Sequence, residues 1–257
     1  VFGFTDYNKI LYLIKISLSL IRKNESIINS DVFFGAASTT AKLKFENMEW
    51  WIPSIRPSEE IQEIITKRLL TKKPIDVAFM KRKMNQITMP TGGTYAWNLG
   101  NYTNSVRFIF IAFKSTNNPS AQTNNVLFTA SLGNTFTITS MRVQLNNMYY
   151  PIDRMQMNFL ENNILEPYSS YVDCCLRFEN EPPLSANEFS DLYPIFCFDV
   201  SSQPRNLKDN GINIVLHIEK SSLLSMNAYA LLFEDAHYSI DVSDGKINIM
   251  ATDLEVF

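Results

Sequence analysis

Apolar and polar residues alternate with a period of two over many short stretches of this chain, and follow helical spacing over only a few. From Ile10 through Tyr12, Ile14, Ile16 and Leu18 to Leu20 every second residue is apolar. Ile10–Leu20 therefore reads as a half-buried strand, with Leu11 and Leu13 leaving a helical alternative open. Residues 23–40 are polar and small, closing with Gly35 to Thr40, and read as a linker or surface loop. Lys42 to Pro53 reads as a strand through Leu43, Phe45, Met48, Trp50 and Ile52, ended by Pro53 and Pro57. Ser58 then caps a predicted helix, with Glu59 and Glu60 at its positive end and Lys67 and Arg68 at its negative end. Ile61, Ile64, Ile65 and Leu69 share one face of it, which predicts that the helix packs on something.

The β pattern resumes with Ile75, Val77 and Phe79, then Ile87 and Met89, a turn at Pro90–Gly93, and Trp97 with Leu99. Arg107–Phe113 is a near-continuous β-branched and aromatic run, as in a central strand covered on both faces. Asn117–Ser120 breaks the chain, and Ile138, Met141, Val143 and Leu145 suggest a further strand leading to Tyr149-Tyr150-Pro151. Asp153 and Gln156 have capping-box spacing, and Met155, Phe159, Leu160 and Ile164 predict a helix that Pro167 interrupts. Tyr168, Tyr171, Val172, Cys175 and Leu176 extend the helical pattern to Pro182-Pro183, and Ser185 with Glu188 opens a short helix holding Phe189 and Leu192. Strands return at Pro194–Asp199, at Ile212, Ile214, Leu216 and Ile218 after the Asp209–Gly211 turn, and at Ala228–Phe233. Tyr238–Val242, Asp244-Gly245 and Ile247–Ile249 form a hairpin pattern. The sum is an all-β sandwich with helices inserted between strands, and a doubly wound parallel sheet is disfavoured.

Composition narrows the class of protein. The 257 residues are 46% apolar and 12% aromatic, enough to bury one large core or two small ones. With 19% charged residues wholesale disorder is excluded, and a net charge of −3 excludes a broadly basic nucleic-acid coat. No apolar run approaches the ~18 residues of a membrane-spanning helix, and Lys9, Lys15 and Arg22 interrupt every run near the start, so no signal peptide is legible. Val1 in place of Met is read as a fragment, or as a chain whose upstream piece has been removed. Cys174, Cys175 and Cys197 are too few and too clustered for a disulfide framework and fit a reducing compartment. The sequons at Asn24 and Asn101 read as products of an Asn-rich composition.

Candidate chemistry is sparse. There is no GxSxG, HxxxH, Walker or GxGxxG pattern. His217 has the outward parity of its strand and reads as a surface or cross-strand residue; His237 adjoins Asp235 without a nucleophile placed by sequence. Two histidines do not furnish a cupin-type metal site. Cys174-Cys175 lies on an apolar helical face with one member in the core, and Trp50-Trp51 and Tyr149-Tyr150 each read as a core anchor beside an exposed neighbour. Either pair could instead be a sugar-stacking platform in a carbohydrate-binding module, and Asp153, Glu161, Asp199 and Asp235 could supply the carboxylates of a sandwich glycosidase. Lys67, Arg68, Lys72, Lys73, Lys81, Arg82 and Lys83 against Asp76 make 67–83 a basic segment that could touch nucleic acid or an acidic partner, or form a solvated margin.

Ordered pieces along almost the whole chain resemble the double-jelly-roll-like proteins of Polinton (Maverick) elements and adintoviruses. They begin with Gly3-Phe4, Asp6-Tyr7, Lys9-Ile10, Leu18, Leu20 and Arg22. Trp50, Ile52-Pro53, Ile55, Pro57, Trp97 and the run from Arg107 to Phe113 follow. Leu145-Asn146, Tyr150-Pro151, Pro194, Phe198-Asp199, Ser201, Gln203 and Asn227 to Ala230 complete the set. Val106 and Lys114 depart from the proline and glutamine expected there. The resemblance implies a major capsid protein in which two jelly rolls lie side by side and three copies build a pseudo-hexagonal capsomer. It implies that residues 1–40 are the terminal strand of a first roll and a linker, that 41–257 are the second roll, and that most of the first roll is missing. It further implies self-association as a homotrimer with capsid neighbours and contact with the first roll. The implied location is the virion, with host cytoplasm or nucleus during assembly; no catalytic residue, cofactor, metal or membrane contact is implied. The helical segments 58–70 and 153–178 are expected at the base or between rolls, and loops around 90–105 and 115–126 in the outward tower.

Overall fold

The computed structural model describes residues 18–19, 46–52, 54–71, 75–91, 93–102, 105–115, 138–202, 211–221, 225–241 and 248–251. The strand expected at Ile10–Leu20, the linker 23–40 and most of the 115–126 loop lie outside these residues. Within them, α1 (Glu59–Leu70) is followed by β1 (Ile75–Met89), β2 (Thr94–Tyr102), β3 (Val106–Ser115), β4 (Ile138–Leu145) and β5 (Met148–Gln156). A 3₁₀ turn at Phe159–Glu161, α2 (Leu165–Arg177) and α3 (Ala186–Asp191) precede β6 (Phe196–Asp199), β7 (Ile212–Lys220), β8 (Met226–Asp241) and β9 (Asn248–Ala251).

Two antiparallel sheets face each other. One runs β1-β8-β3-β6, and the other β2-β7-β4-β5. Numbering β1 to β8 along the chain, neighbours in each sheet come from distant parts of the sequence except for the β4–β5 hairpin, which is the strand order of an eight-stranded jelly roll. β9 pairs with β8 at Tyr238–Asp241, where β3 has already left at Val106↔Glu234, so it takes over that side of β8. β7 shows why the order forms: its burial alternates without a break from Ile212 to Lys220, so one face must meet a core. The inner faces supply it through Ile109, Ile111, Phe113, Phe196, Val143, Leu145, Ile214, Leu216, Ala230 and Leu232, all essentially inaccessible.

Three expectations need correction. The capping-box pattern at Asp153 predicts a helix, but the chain continues as β5 to Gln156. Met155 and Phe159 are four apart, a spacing common to one helical turn and two strand repeats; Met157 lies between them and all three are buried, which is the period of a strand. Pro167, expected to interrupt a helix, sits in the first turn of α2, where a missing N–H costs nothing because that donor has no intrahelical acceptor. The strand expected over Lys42–Pro53 does not form at 46–52, where no regular structure is present and Met48, Trp50, Trp51 and Ile52 are exposed.

Other readings agree with the structure. α1 starts after Ser58, with its acids in the first turn and bases in the last. Ser185 and Glu188 form a complete capping box at α3, and the backbone and hydroxyl of Ser185 hold the Glu188 carboxyl below its ordinary range. β3 is central, flanked by β8 and β6. One further expectation is corrected: residues 94–102, expected within an outward loop from their Asn-, Thr- and Gly-rich composition, are strand β2, where Trp97 and Leu99 alternate into the core.

Candidate functional site

The outer face of the β1-β8-β3-β6 sheet is not open to water along its length. Phe108, Phe110 and Phe233 point outward and are covered by Phe178 just after α2, with ring centroids 4.9–6.1 Å apart. The Arg82 guanidinium lies 5.2 Å from the centre of the Phe233 ring on the same face. α2 is held across β6 by three contacts on one helical stripe. Ser170 Oγ donates to the Cys197 carbonyl at 2.6 Å, Cys174 is buried beside Cys197, whose thiol donates to the Ile195 carbonyl at 3.7 Å, and Arg177 Nε lies 2.9 Å from Asp199 Oδ2. The connection between β5 and β6, residues 157–195, is thus a second layer and not a free loop.

The outer face of the other sheet is polar. His217 on β7 shares a 2.7 Å hydrogen bond with Gln144 on β4, and Arg142 stacks over Tyr149 with 3.9 Å to the ring centroid. Arg154 pairs with Glu219, which also accepts from Ser140 Oγ at 2.9 Å. Partial burial, Arg142 and Arg154 together push the His217 pKa below its ordinary 6.5. The unfolded chain then binds a proton that the folded chain resists, so this histidine lowers stability as pH falls through about 6.5. His217→Gln is expected to flatten the loss of urea resistance between about pH 7 and about pH 5; an unchanged slope would assign that loss to other groups.

A different cost sits on the inner face of the first sheet. Glu234 is 5% exposed, opposite Lys81 on β1 and Val106 on β3. Its Oε1 and the buried Ser105 Oγ next to it in the sheet have no hydrogen-bond partner. Burial pushes the Glu234 carboxyl above its ordinary range, against the pull of Lys83 and Lys81. A raised carboxyl pKa stabilises the fold at low pH, and that contribution is lost as pH rises through it. Glu234→Gln is expected to gain about 1 kcal/mol at neutral pH and nothing in acid. Urea unfolding at both pH values checks this.

The residues singled out by sequence distribute as follows. Asp199 and Asp235 are bound to Arg177 and Arg107, the latter pair at 2.6 Å, while Asp153 and Glu161 are exposed on β5 and the 3₁₀ turn. His237 contacts Asp76 at 3.9 Å, and its sequence neighbour Asp235 is turned to Arg107. Tyr150 packs against the core and Tyr149 faces outward, as expected. Trp50 and Trp51 are both exposed, so neither is a core anchor; without a partner strand, alternation cannot bury one of them. Cys174 is buried and Cys175 half-buried, again as expected. Lys67 is paired with Glu63 at 2.7 Å, and Lys81 to Lys83 lie inside β1 and not at a strand margin.

Among the described residues no three His, Cys, Asp or Glu side chains are grouped to hold a metal, and no helix is long and apolar enough to cross a membrane. An open groove of about 560 Å³ beside α2 is lined by Gln156, Asn163, Glu166, Ser169, Ser170 and Asp173. Glu166 accepts from the Gln156 N–H at 3.1 Å, so that carboxylate closes the end of β5.

Among the described residues, apolar side chains are exposed in a run before β1. Residues 46–70 form an extended strap and α1, and along them Met48, Trp50, Trp51, Ile52, Ile55, Ile61, Ile64 and Leu70 are exposed. Trp51 is 84% accessible and Ile64 60%. The expected packing of α1 is absent among the described residues, although its apolar face is the one the sequence predicts. Continuous exposure of this kind marks a surface that meets another surface.

Strand order and sandwich define a jelly roll. A family model for the double jelly roll-like domain matches residues 1–237, and the chain belongs to that family. No curated protein sequence matches the chain. Among solved structures it is similar to a chain of the PBCV-1 virus capsid, with 9% identity and TM-score 0.41 over 74% of this chain and 54% of that one. It is likewise similar to a chain of the Sputnik virophage, with 12% identity and TM-score 0.44 over 72% and 40%. For the mavirus major capsid protein the values are 8% and 0.38 over 69% and 42%. The chain thus spans about half the length, or less, of these capsid chains.

Proposed function

We propose that this chain is a structural subunit of a capsid, the second jelly roll of a double-jelly-roll major capsid protein resembling those of Polinton and adintovirus-like elements. In this reading residues 41–257 are the second roll, 1–40 end the first, and three copies form a pseudo-hexagonal capsomer of an icosahedral shell in the virion. The reading is carried by one observation: a jelly-roll strand order in a chain that belongs to the double jelly roll-like family. The apolar strap of 46–70 supports it, because a subunit needs surface that is satisfied only by neighbours. The function is mechanical, and no substrate is turned over.

A weak contact with packaged nucleic acid through 67–83 is a minor part of the proposal. Lys67 is engaged by Glu63, Arg82 lies on Phe233, and Lys81 and Lys83 act on the Glu234 carboxyl, so much of the charge in the described part of the segment is already engaged within the chain. So few phosphate contacts give a shallow salt dependence.

Sedimentation velocity and negative-stain microscopy of the purified full chain, alone and with a separately expressed first roll, test the main reading. The expected result is concentration-dependent association, becoming trimeric with the first roll present. A clean monomer at high concentration under both conditions would count against it, as would substrate turnover abolished by one acidic substitution.

A further inference from the structure

We propose that Cys174 and Cys197 form a modification site, a buried thiol pair that hydrogen peroxide oxidises to a disulfide, stapling α2 to β6. The geometry is a stripe on α2 laid along β6. Ser170, Cys174 and Arg177 are spaced by four and three residues and share one helical face. Ser170 binds the Cys197 carbonyl at one end, and Arg177 binds Asp199, two residues further along β6, at the other. Cys174 lies between these two fixed contacts, buried next to Cys197. Both are buried and all three cysteines are free thiols. Flanked by two anchors, the two sulfurs are already neighbours, which is the main geometric requirement for a disulfide.

The two thiols are unequal. The neighbouring Cys197 thiol and the Arg177 charge hold the Cys174 thiol below its ordinary range, against burial and the Asp199 carboxylate, while the Cys197 S–H itself donates to the Ile195 carbonyl at 3.7 Å. Burial and the Cys174 sulfur push Cys197 well up. Cys175 hydrogen-bonds with Tyr171, and burial raises its thiol, so it is held out of the pair. Cys174 is therefore the attacking sulfur and Cys197 the resolving one.

The Cys174 thiolate attacks one peroxide oxygen, the O–O bond breaks, and hydroxide leaves and takes up a proton to become water. The Cys197 sulfur then attacks the resulting sulfenic sulfur; the S–S bond forms, the S–O bond breaks, and the hydroxyl leaves as a second water with the Cys197 proton. Two thiols are oxidised by two electrons and one peroxide is reduced to two waters. Because both sulfurs are buried, the rate follows local opening of α2. The bond closes the connection from α2 through α3 to β6 and restricts it in the unfolded chain.

The test exposes the full chain to hydrogen peroxide, alkylates remaining thiols in denaturant, and maps peptides. A reductant-reversible Cys174–Cys197 link is expected in the natural sequence and in Cys175→Ser, with none in Cys174→Ser or Cys197→Ser. The melting temperature should rise by about 5 °C on oxidation and fall back on reduction. Sulfinic acid at Cys174 without a link, a Cys174–Cys175 link, a link only between chains, or two unchanged thiols would each overturn the proposal. If Cys197→Ser does not fold, the map of the natural sequence decides alone.

Discussion

Phe196→Ala is expected to cost about 3–5 kcal/mol, a large share of the roughly 5–15 kcal/mol that holds a typical domain together. Phe196 is fully buried on β6, a strand of four residues at the edge of its sheet. Its ring lies 5.8 Å from Phe113 in the core, 6.1 Å from Phe159 in the 3₁₀ turn and 6.3 Å from Phe189 in α3. One side chain thus ties the long connection between β5 and β6 to the sandwich at two places. Truncation removes the transfer free energy of the ring and leaves a cavity whose walls belong to three elements. Among the described residues the edge strand pairs with β3, through four residue pairs, and α2 packs across it. Urea unfolding followed by Trp fluorescence measures the loss, since Trp97 is buried while Trp50 and Trp51 are exposed. Phe196→Leu should recover more than half of it. A loss below about 1 kcal/mol in the alanine variant would mean that the core repacks around the gap.

The second large effect concerns association and not folding. Changing Trp51, Ile55, Ile61 and Ile64 together to serine is expected to leave the melting temperature within about 2 °C, because these side chains are exposed in the folded chain. The same change should weaken self-association by about 1,000-fold, taking roughly 1 kcal/mol for each of the four side chains no longer buried between neighbours. Sedimentation of the two proteins over a range of concentrations separates the outcomes. Equal association would place the contacts elsewhere, and a large drop in melting temperature would mean that the strap is part of the core. The two experiments are complementary, since one probes a buried core residue and the other an exposed apolar segment.

Much of the architecture is legible from the order of residues. β7 is readable because alternation from Ile212 to Ile218 is strict and the burial follows it position by position. β3 is readable because a β-branched and aromatic run cannot be left in water on either face, and α3 because its capping box is a local hydrogen-bond device. β5 is misread because Met155 and Phe159 satisfy two periods at once, and the strap is misread because alternation names the faces of a strand without supplying a partner.

Glu234, the aromatic layer under Phe178 and the Cys174–Cys197 contact leave no local signature. Each joins residues far apart in the chain: Glu234 faces Lys81, Phe178 meets Phe108, and Cys174 lies 23 positions before Cys197. The resemblance to double-jelly-roll proteins, and with it the family and the all-β sandwich, rests on the sequence alone, because hydrophobic period and ordered motifs are properties of neighbours along the chain. Which strands become neighbours, and hence which side chains share a face, was decided only in three dimensions. Hydrogen bonding between strands and the covering of a sheet by a helix are contacts that periodicity does not encode.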